Sequence, residues 1–162
     1  MKTQEFHLVE REHVWSYFQL HAQQRLTTFN FYIILSSALI AAGAALLKAG
    51  AGVPYPLLPL GFVLSLLSFV FWKLDTRNNQ LIKNAEDGLR YVEERLGLRD
   101  GNGLLQPTAV FLRDAEYVER QRQREHRTHW SYSQCFNAAF ITLGTVGALS
   151  AIVVAVLAVL GR

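Results

Sequence analysis

Three long stretches of the chain contain no charged residue, and they determine the expected architecture. Leu26–Leu47, Ala49–Trp72 and Thr128–Gly161 each lack Lys, Arg, Asp and Glu. Each stretch reaches the ~20 residues that a helix needs to cross a bilayer. A soluble chain of 162 residues is too small to bury three such helices in one core. We therefore predict an all-α membrane protein with three transmembrane helices, in preference to a soluble all-α globule with a very apolar core.

The second stretch passes directly into an amphipathic pattern. No Pro or Gly lies between Phe62 and Ala85, so one helix is expected to continue past Trp72 and Asp75 from the membrane into water. Beyond Trp72, apolar residues recur in steps of three, four and seven, which is typical of a coiled-coil-like stripe. We interpret this stripe as an oligomerisation surface. Its members are Leu74, Leu81, Ile82, Ala85, Leu89, Val92 and Leu96.

The chain is expected to fold back after this helix. Gly97 is a plausible helix stop, and Asp100-Gly101-Asn102-Gly103 has the composition of a turn. A helix resumes near Thr108, which gives a long amphipathic helical hairpin between spans two and three. The predicted parts are a lead-in helix at 1–25, a transmembrane hairpin at 26–74, the helical hairpin at 75–127 and a third transmembrane helix at 128–162.

The distribution of basic residues predicts the orientation. Eleven Lys and Arg residues lie in Lys73–Arg127, whereas the turn between spans one and two contains only Lys48. The positive-inside rule places the basic segment in the cytoplasm of a bacterium. The N-terminus is then cytoplasmic, and Arg162 lies outside the inner membrane. The net charge of +3 is modest and acids are interspersed, so we expect no nucleic-acid partner.

Small residues recur on one face of the first and third spans. Small side chains let membrane helices approach closely, although alanine is also simply tolerated in such helices. We favour helix packing as the role of these residues. They are Ser37, Ala41 and Ala45 in span one and Gly144, Gly147, Ala148 and Ala151 in span three.

One charge pair and a few polar side chains fall near or inside the spans. Asp75 follows span two closely and Arg25 precedes span one, so the two are candidates for an interfacial ion pair. The alternative is an Asp75 exposed to headgroup water. Four polar residues are possible pore-lining groups, or they bond to helix carbonyls and neighbouring helices instead. They are Asn30, Ser36, Ser65 and Ser68.

The sequence offers no convincing catalytic pattern, metal site or cofactor site. His126 and His129 share a helical face, but two histidines beside a glutamate are a weak metal signal. Glu93 and Glu94 are more simply a solvated face than an acid–base pair. The single Cys135 excludes a disulfide within one chain. We therefore expect a protein that is not an enzyme.

The sequence from Phe69 to Leu96 resembles the SLATT-type modules of small bacterial membrane proteins. The resemblance rests on the run Trp72-Lys73-Leu74-Asp75 with its continuation to Glu86, and on the lead-in His21–Leu39. It covers roughly residues 10–97. Members of this type are associated with anti-phage conflict systems, and the resemblance implies an effector that oligomerises and perforates the inner membrane when a cytoplasmic sensor is triggered. The third span departs from the simplest two-span pattern.

Two functions therefore remain open at the level of sequence. The first is an oligomeric effector that forms a pore or disrupts the membrane in anti-phage defence, in contact with the lipid bilayer, with further copies of itself and with a cytoplasmic sensor or defence protein. The second is a non-conducting membrane scaffold that recruits a cytoplasmic complex. Only the first predicts that the membrane potential collapses when the protein is triggered.

Overall fold

The described part of the chain is helical. A computed structural model describes residues 2–48, 55–123 and 130–160. Within these ranges the only β-type pairing is an isolated antiparallel bridge between Arg99 and Leu105. The helices are α1 (Lys2–Lys48), α2 (Leu57–Arg95), α3 (Val110–Gln123) and α4 (Tyr132–Leu160).

Three of these helices are long and apolar enough to cross a membrane. They are α1, α2 and α4, judged by length and composition. The prediction of an all-helical chain with three candidate spans is confirmed at this level. The helix α2 has 39 residues and continues without a break past Trp72, as the absence of Pro and Gly predicts. At ~1.5 Å per residue it is about 58 Å long, nearly twice the thickness of a hydrocarbon core.

The chain divides into two compact units, and α1 and α2 each contribute to both. Unit 1 comprises Met1–Gln24 and Asn78–Trp130, and unit 2 comprises Arg25–Arg77 and Ser131–Arg162. Unit 2 therefore holds the three uncharged stretches of the sequence almost entirely. Most of the charged residues belong to unit 1.

Aromatic side chains form the centre of unit 2. Tyr32 is completely buried, and it forms one cluster with the buried rings of Phe136 and Phe140. The rings of Phe29 and Phe136 stack with 3.9 Å between their centroids. The Tyr32 hydroxyl is satisfied by the hydroxyl of Ser68, 2.9 Å away. Aromatic rings that fit closely gain dispersion energy, which is the main packing energy available among apolar helices.

The helices α2 and α4 approach closely at two glycines. A Cβ atom placed on Gly61 would lie 2.6 Å from the carbonyl oxygen of Gly147, and one placed on Gly147 would lie 2.7 Å from the carbonyl oxygen of Gly61. Real Cβ atoms do not come this near to backbone oxygens. The crossing therefore requires glycine on both helices.

Aliphatic side chains form the centre of unit 1. The buried apolar residues that α2 contributes to unit 1 are four of the predicted stripe, and Leu112 of α3 is buried with them. Val14 of α1 reaches Gly88 of α2, where an added Cβ would lie 3.1 Å from the valine. The four stripe residues are Ile82, Ala85, Leu89 and Val92.

A short ordered loop connects α2 to α3. Gly97 adopts φ +64°, the left-handed conformation that favours glycine after a helix, so the predicted stop is present. The Asp100 carboxylate accepts hydrogen bonds from the backbone N–H groups of Asn102 and Leu104, at 2.9 and 2.8 Å. Gly103 also has a positive φ, of +77°. The turn chemistry expected of this segment is therefore observed.

Candidate functional site

The structure brings Arg25 and Asp75 together as a bidentate ion pair. Arg25 Nε donates to Asp75 Oδ1 at 2.7 Å, and Arg25 Nη2 donates to Asp75 Oδ2 at 2.9 Å. Both side chains are buried, with 10% and 7% of their surfaces exposed. Two parallel charge-assisted hydrogen bonds are the strongest pairing available to these groups. The alternative of an Asp75 exposed to headgroup water does not describe this structure.

The guanidinium of Arg25 also joins α4 to this pair. Its Nη2 donates to the Ser133 hydroxyl at 3.1 Å, and its central carbon lies 5.0 Å from the centroid of the Phe136 ring. One arginine therefore links three helices within unit 2 through a carboxylate, a hydroxyl and an aromatic face. Sequence reasoning found the pair, but it did not identify Ser133 or Phe136 as partners of the arginine.

The four polar residues predicted to line a pore occupy different environments. Asn30 is exposed and Ser65 is half-buried, so both are accessible from outside a single chain. Ser68 is buried, and its hydroxyl donates to the Leu64 carbonyl at 2.8 Å. Ser36 is 1% exposed, and its hydroxyl has no hydrogen-bond partner among the described residues. Ser36 and Ser68 are therefore buried within one chain, and a role for the four residues in lining a pore stays a prediction.

A groove with a polar edge lies between α2 and α4 in unit 2. Its volume is about 300 Å³. The hydroxyls of Ser65, Ser68 and Thr145 contribute to its wall, and the rest of the lining is apolar or aromatic. The groove is the part of unit 2 where hydroxyl groups collect beside exposed surface.

The small residues of the two predicted faces have different surroundings. On α4, Gly147 is buried, while Gly144, Ala148 and Ala151 are half-buried. Gly144 lies against Ser68 and Gly147 lies against Gly61, so this face packs on α2 within one chain. Sequence reasoning missed Gly61, the matching residue of α2. The face of α1 is exposed in the structure; it consists of Ser37, Ala41 and Ala45.

The predicted oligomerisation stripe of α2 is largely used inside the chain. Leu89 is 1% exposed, and Ile82, Ala85 and Val92 are also buried. These four residues belong to the core of unit 1 within one chain. Leu81 and Leu96 are half-buried, and Leu74 is exposed. A role of the stripe in assembly stays a prediction.

Glu93 is a buried cap of α3, and its interpretation as part of a solvated face is wrong. The side chain is 1% exposed, whereas Glu94 beside it is exposed. The carboxylate of Glu93 accepts hydrogen bonds from the backbone N–H groups of Phe111 and Leu112, at 3.3 and 2.9 Å. The residue before α3 is Ala109, whose side chain has no acceptor, so the first N–H groups of the helix need an acceptor from elsewhere.

An apolar groove lies beside Glu93 within unit 1. We call it the α1–α3 groove, and its volume is about 600 Å³. Trp15 and Phe18 stack in its wall with 5.6 Å between ring centroids, and Phe111 meets both rings edge-to-face at 6.1 and 5.6 Å. The remaining lining residues are Leu8, Arg11, Glu12, Leu89, Glu93 and Val110.

The described residues contain no group of three or more His, Cys, Asp or Glu side chains that could hold a metal ion. The candidate pair His126 and His129 lies outside the described residues. Cys135 is an exposed free thiol. The chemistry of the described chain is therefore concentrated in the Arg25–Asp75 pair, the hydroxyl-edged groove and the α1–α3 groove.

Comparison with models of known protein families gives a match over most of the chain. The model of the octameric membrane protein family (8xMP) matches residues 10–160. The chain belongs to the octameric membrane protein family. This membership supports a membrane location and an assembly of several identical chains. The comparison does not name the SLATT type, so that finer resemblance stays a prediction.

The chain is also similar to a curated protein from Escherichia coli. CD-NTase-associated protein 19 is 37% identical over 149 residues, which cover 87% of each chain. The match therefore covers most of both chains. No solved structure matches the chain.

Proposed function

We propose that this protein is a non-enzymatic effector of a bacterial anti-phage system, which assembles in the inner membrane and opens a pore when a CD-NTase-dependent signal reaches it. The family match over residues 10–160 carries this proposal, because it joins a membrane location to assembly of several copies. The name of the Escherichia coli relative, at 37% identity, supplies the link to a CD-NTase.

Assembly matters to this proposal because three spans in one chain are too few to enclose an aqueous path. Several copies together provide enough helices. The polar groups available for lining such a path are those on the outside of one chain, and they include Asn30 on α1 and the groove residues Ser65 and Thr145. None of the three uncharged stretches contains a Lys, Arg, Asp or Glu that could carry protons across the membrane. This absence fits a passive pore better than a proton-coupled transporter.

The proposed orientation places the N-terminus and the segment 75–127 in the cytoplasm and Arg162 outside. The excess of Lys and Arg between Lys73 and Arg127 supports this orientation. The cytoplasmic sensor or defence protein would then contact unit 1. A reporter enzyme fused to the C-terminus that is active only outside the inner membrane tests the orientation. Reporter activity supports it, and an active cytoplasmic reporter at the same position contradicts it.

The main test measures the membrane potential with a voltage-sensitive dye in bacteria that express the protein together with its CD-NTase, before and after phage infection. We expect depolarisation after infection. Asn30→Leu removes a polar group from the proposed path and should reduce the depolarisation, while Asn30→Ser keeps a polar group and should retain most of it. Both variants should assemble as the natural protein does.

An unchanged potential in infected cells that contain the assembled protein would contradict the pore. If a soluble protein then co-purified with the membrane fraction, the scaffold would be the correct function. Equal depolarisation by Asn30→Leu and the natural protein would remove Asn30 from the path without removing the pore.

A further inference from the structure

Unit 1 exposes a second apolar surface on α1, apart from the α1–α3 groove. It consists of Phe6, Val9 and Leu20, whose exposed fractions are 60%, 67% and 62%. We call these three residues the outer stripe. They precede the first uncharged stretch, in a part of α1 that also carries Glu5, Glu10, Arg11 and Glu12. Charged residues are costly in the hydrocarbon core, so exposed apolar side chains beside these charges indicate a contact surface.

The outer stripe and the groove lie on different faces of the same helix. Val9 and Leu20 are eleven residues apart, about three turns, so they share a face. Leu8 and Trp15 are seven residues apart, about two turns, and both line the groove. Consecutive residues differ by about 100° around a helix, so Leu8 and Val9 point in clearly different directions. The helix therefore presents one apolar surface to the groove and another one away from it.

Two different apolar surfaces on one subunit are what a closed ring requires. In a cyclic assembly with more than two members, each copy uses one patch toward one neighbour and a different patch toward the other. A single soluble partner or the flat surface of a bilayer would need only one patch. The family is octameric, so a ring of identical copies is the occupant that accounts for both surfaces.

We propose that the outer stripe of one copy fills the α1–α3 groove of the next copy in the assembly. This inference rests on the assembly stated in the proposed function and assigns the surfaces that form it. The shapes and chemistry match, because the groove is concave and lined by aromatic rings, and the stripe supplies one phenyl and two aliphatic side chains. Aromatic rings pack well against such side chains, and edge-to-face pairs add to the energy of burial.

The groove also explains why a neighbouring copy would stabilise unit 1. Val110 at its rim is 58% exposed and Trp15 is 41% exposed, so a large apolar area beside buried Leu89 stays open in one chain. Covering this area removes it from water, which favours association. The stripe of the next copy would close the groove from outside.

Disulfide cross-linking in the whole protein tests this contact. The background is Cys135→Ser, which removes the native thiol. A chain with both Val9→Cys and Val110→Cys should give, after mild oxidation in native membranes, a ladder of covalent oligomers on a non-reducing gel. Each single variant should stay monomeric on the gel. Co-expression of the two single variants should give cross-linked dimers.

The matched control pairs Val9→Cys with Tyr91→Cys. Tyr91 is 52% exposed on α2 and lies opposite the buried face that contains Leu89, so its thiol is accessible but outside the groove. This pair should give no ladder. The mass of each detergent-solubilised variant is measured by light scattering, against eight times the chain mass of 18.3 kDa.

Each other outcome has a separate meaning. An intact oligomer without a ladder from the Val9/Val110 pair overturns the inference and leaves the proposed function standing. A covalent dimer from Val9→Cys alone overturns it too, because stripe would then meet stripe. A Cys135→Ser protein that is monomeric by light scattering would remove the assembly itself, and the proposed function with it.

Discussion

Among the described residues, each of the two units buries one carboxylate, and the units stabilise it in different ways. In unit 2, Asp75 is 5% exposed and meets the full positive charge of Arg25 through two short hydrogen bonds. In unit 1, Glu93 is 1% exposed and receives two backbone N–H groups from the first turn of α3. A helix N-terminus offers about half a positive charge, so Glu93 is balanced only in part.

The difference follows from the surroundings of the two units. Unit 2 contains the uncharged segments, where an unpaired ion has little access to water and is very costly. A bidentate arginine is the partner that meets this demand. Unit 1 is rich in charged residues and helix ends, and there a carboxylate can serve as the missing cap of a helix. Substitutions in the two units should therefore differ in size as well as in kind.

The largest effect should come from removing the arginine of the pair. Arg25→Ala leaves Asp75 buried without its charged partner, and breaking a buried pair from one side costs about 3–5 kcal/mol. We expect a large fall in the thermal midpoint of the detergent-solubilised protein, measured by circular dichroism.

The control for this substitution replaces both partners. Arg25→Leu with Asp75→Leu leaves no buried charge and should recover most of the lost stability, because apolar pairs of similar size often replace buried ion pairs without loss. If Arg25→Ala alone had no effect on the midpoint, the pair would not be the feature that holds unit 2 together.

A smaller effect is expected at the helix crossing of unit 2. Gly147→Ala places a methyl group 2.7 Å from the carbonyl oxygen of Gly61, so α2 and α4 must separate. Overpacking of this kind typically costs about 1–3 kcal/mol. The measurement is again the thermal midpoint in detergent.

Gly101→Ala is the matched control for Gly147→Ala. A Cβ on Gly101 meets nothing within 4 Å, and its backbone has no positive φ. This variant should unfold at nearly the same temperature as the natural protein. Equal midpoints for the two alanine variants would show that α2 and α4 adjust to the added methyl group without loss.

The cap of unit 1 should contribute less than the ion pair of unit 2. Glu93→Ala removes the acceptor for the N–H groups of Phe111 and Leu112, and losing a helix cap costs about 0.5–2 kcal/mol. Hydrogen exchange should quicken at the amides of the first turn of α3. Glu94→Ala, at the exposed neighbouring position, should leave both stability and exchange unchanged. Equal exchange in the two variants would contradict the capping role.

Features that depend on one local pattern were predictable from the sequence. The three spans follow from uncharged stretches longer than 20 residues. The unbroken α2 follows from the absence of Pro and Gly. Arg25 and Asp75 could be paired because each lies at the end of an uncharged stretch, and a carboxylate there needs a partner. Gly97 at the end of α2 follows from the preference of glycine for a left-handed conformation.

Features that depend on which surfaces meet were not predictable. The stripe of α2 reads equally as a core or as an assembly surface, and only the positions of α1 and α3 show that Leu89 belongs to the core. Glu93 lies four residues after Leu89 on that same face, which was a signal of burial. Its role as a helix cap depends on Ala109, which lies sixteen residues later, directly before α3, and has no acceptor in its own side chain. Gly61 could be recognised only once Gly147 was placed against it.

The smallest effect concerns a third carboxyl group, Glu86. It has neither the bidentate arginine of Asp75 nor the helix N-terminus of Glu93. Burial raises the pKa of Glu86 above its ordinary value of 4.5, and Asp114 and Asp87 raise it further while Arg90 lowers it. Arg90 lies 4.0 Å from the Glu86 carboxylate and 3.1 Å from that of Asp87, so its charge is shared. The ionised form of Glu86 is therefore disfavoured in the folded protein.

The sign of the pH dependence follows from this raised pKa. Between pH 4.5 and the raised value, the folded state binds more proton than the unfolded state, so the contribution of Glu86 to stability falls as the pH rises. Glu86→Gln should be slightly more stable than the natural protein at pH 7, and the advantage should vanish below pH 4.5. A glutamine variant that is less stable at pH 7 would mean that the Arg90 pair outweighs burial, and Glu86 would then resemble Asp75 more than an unbalanced charge.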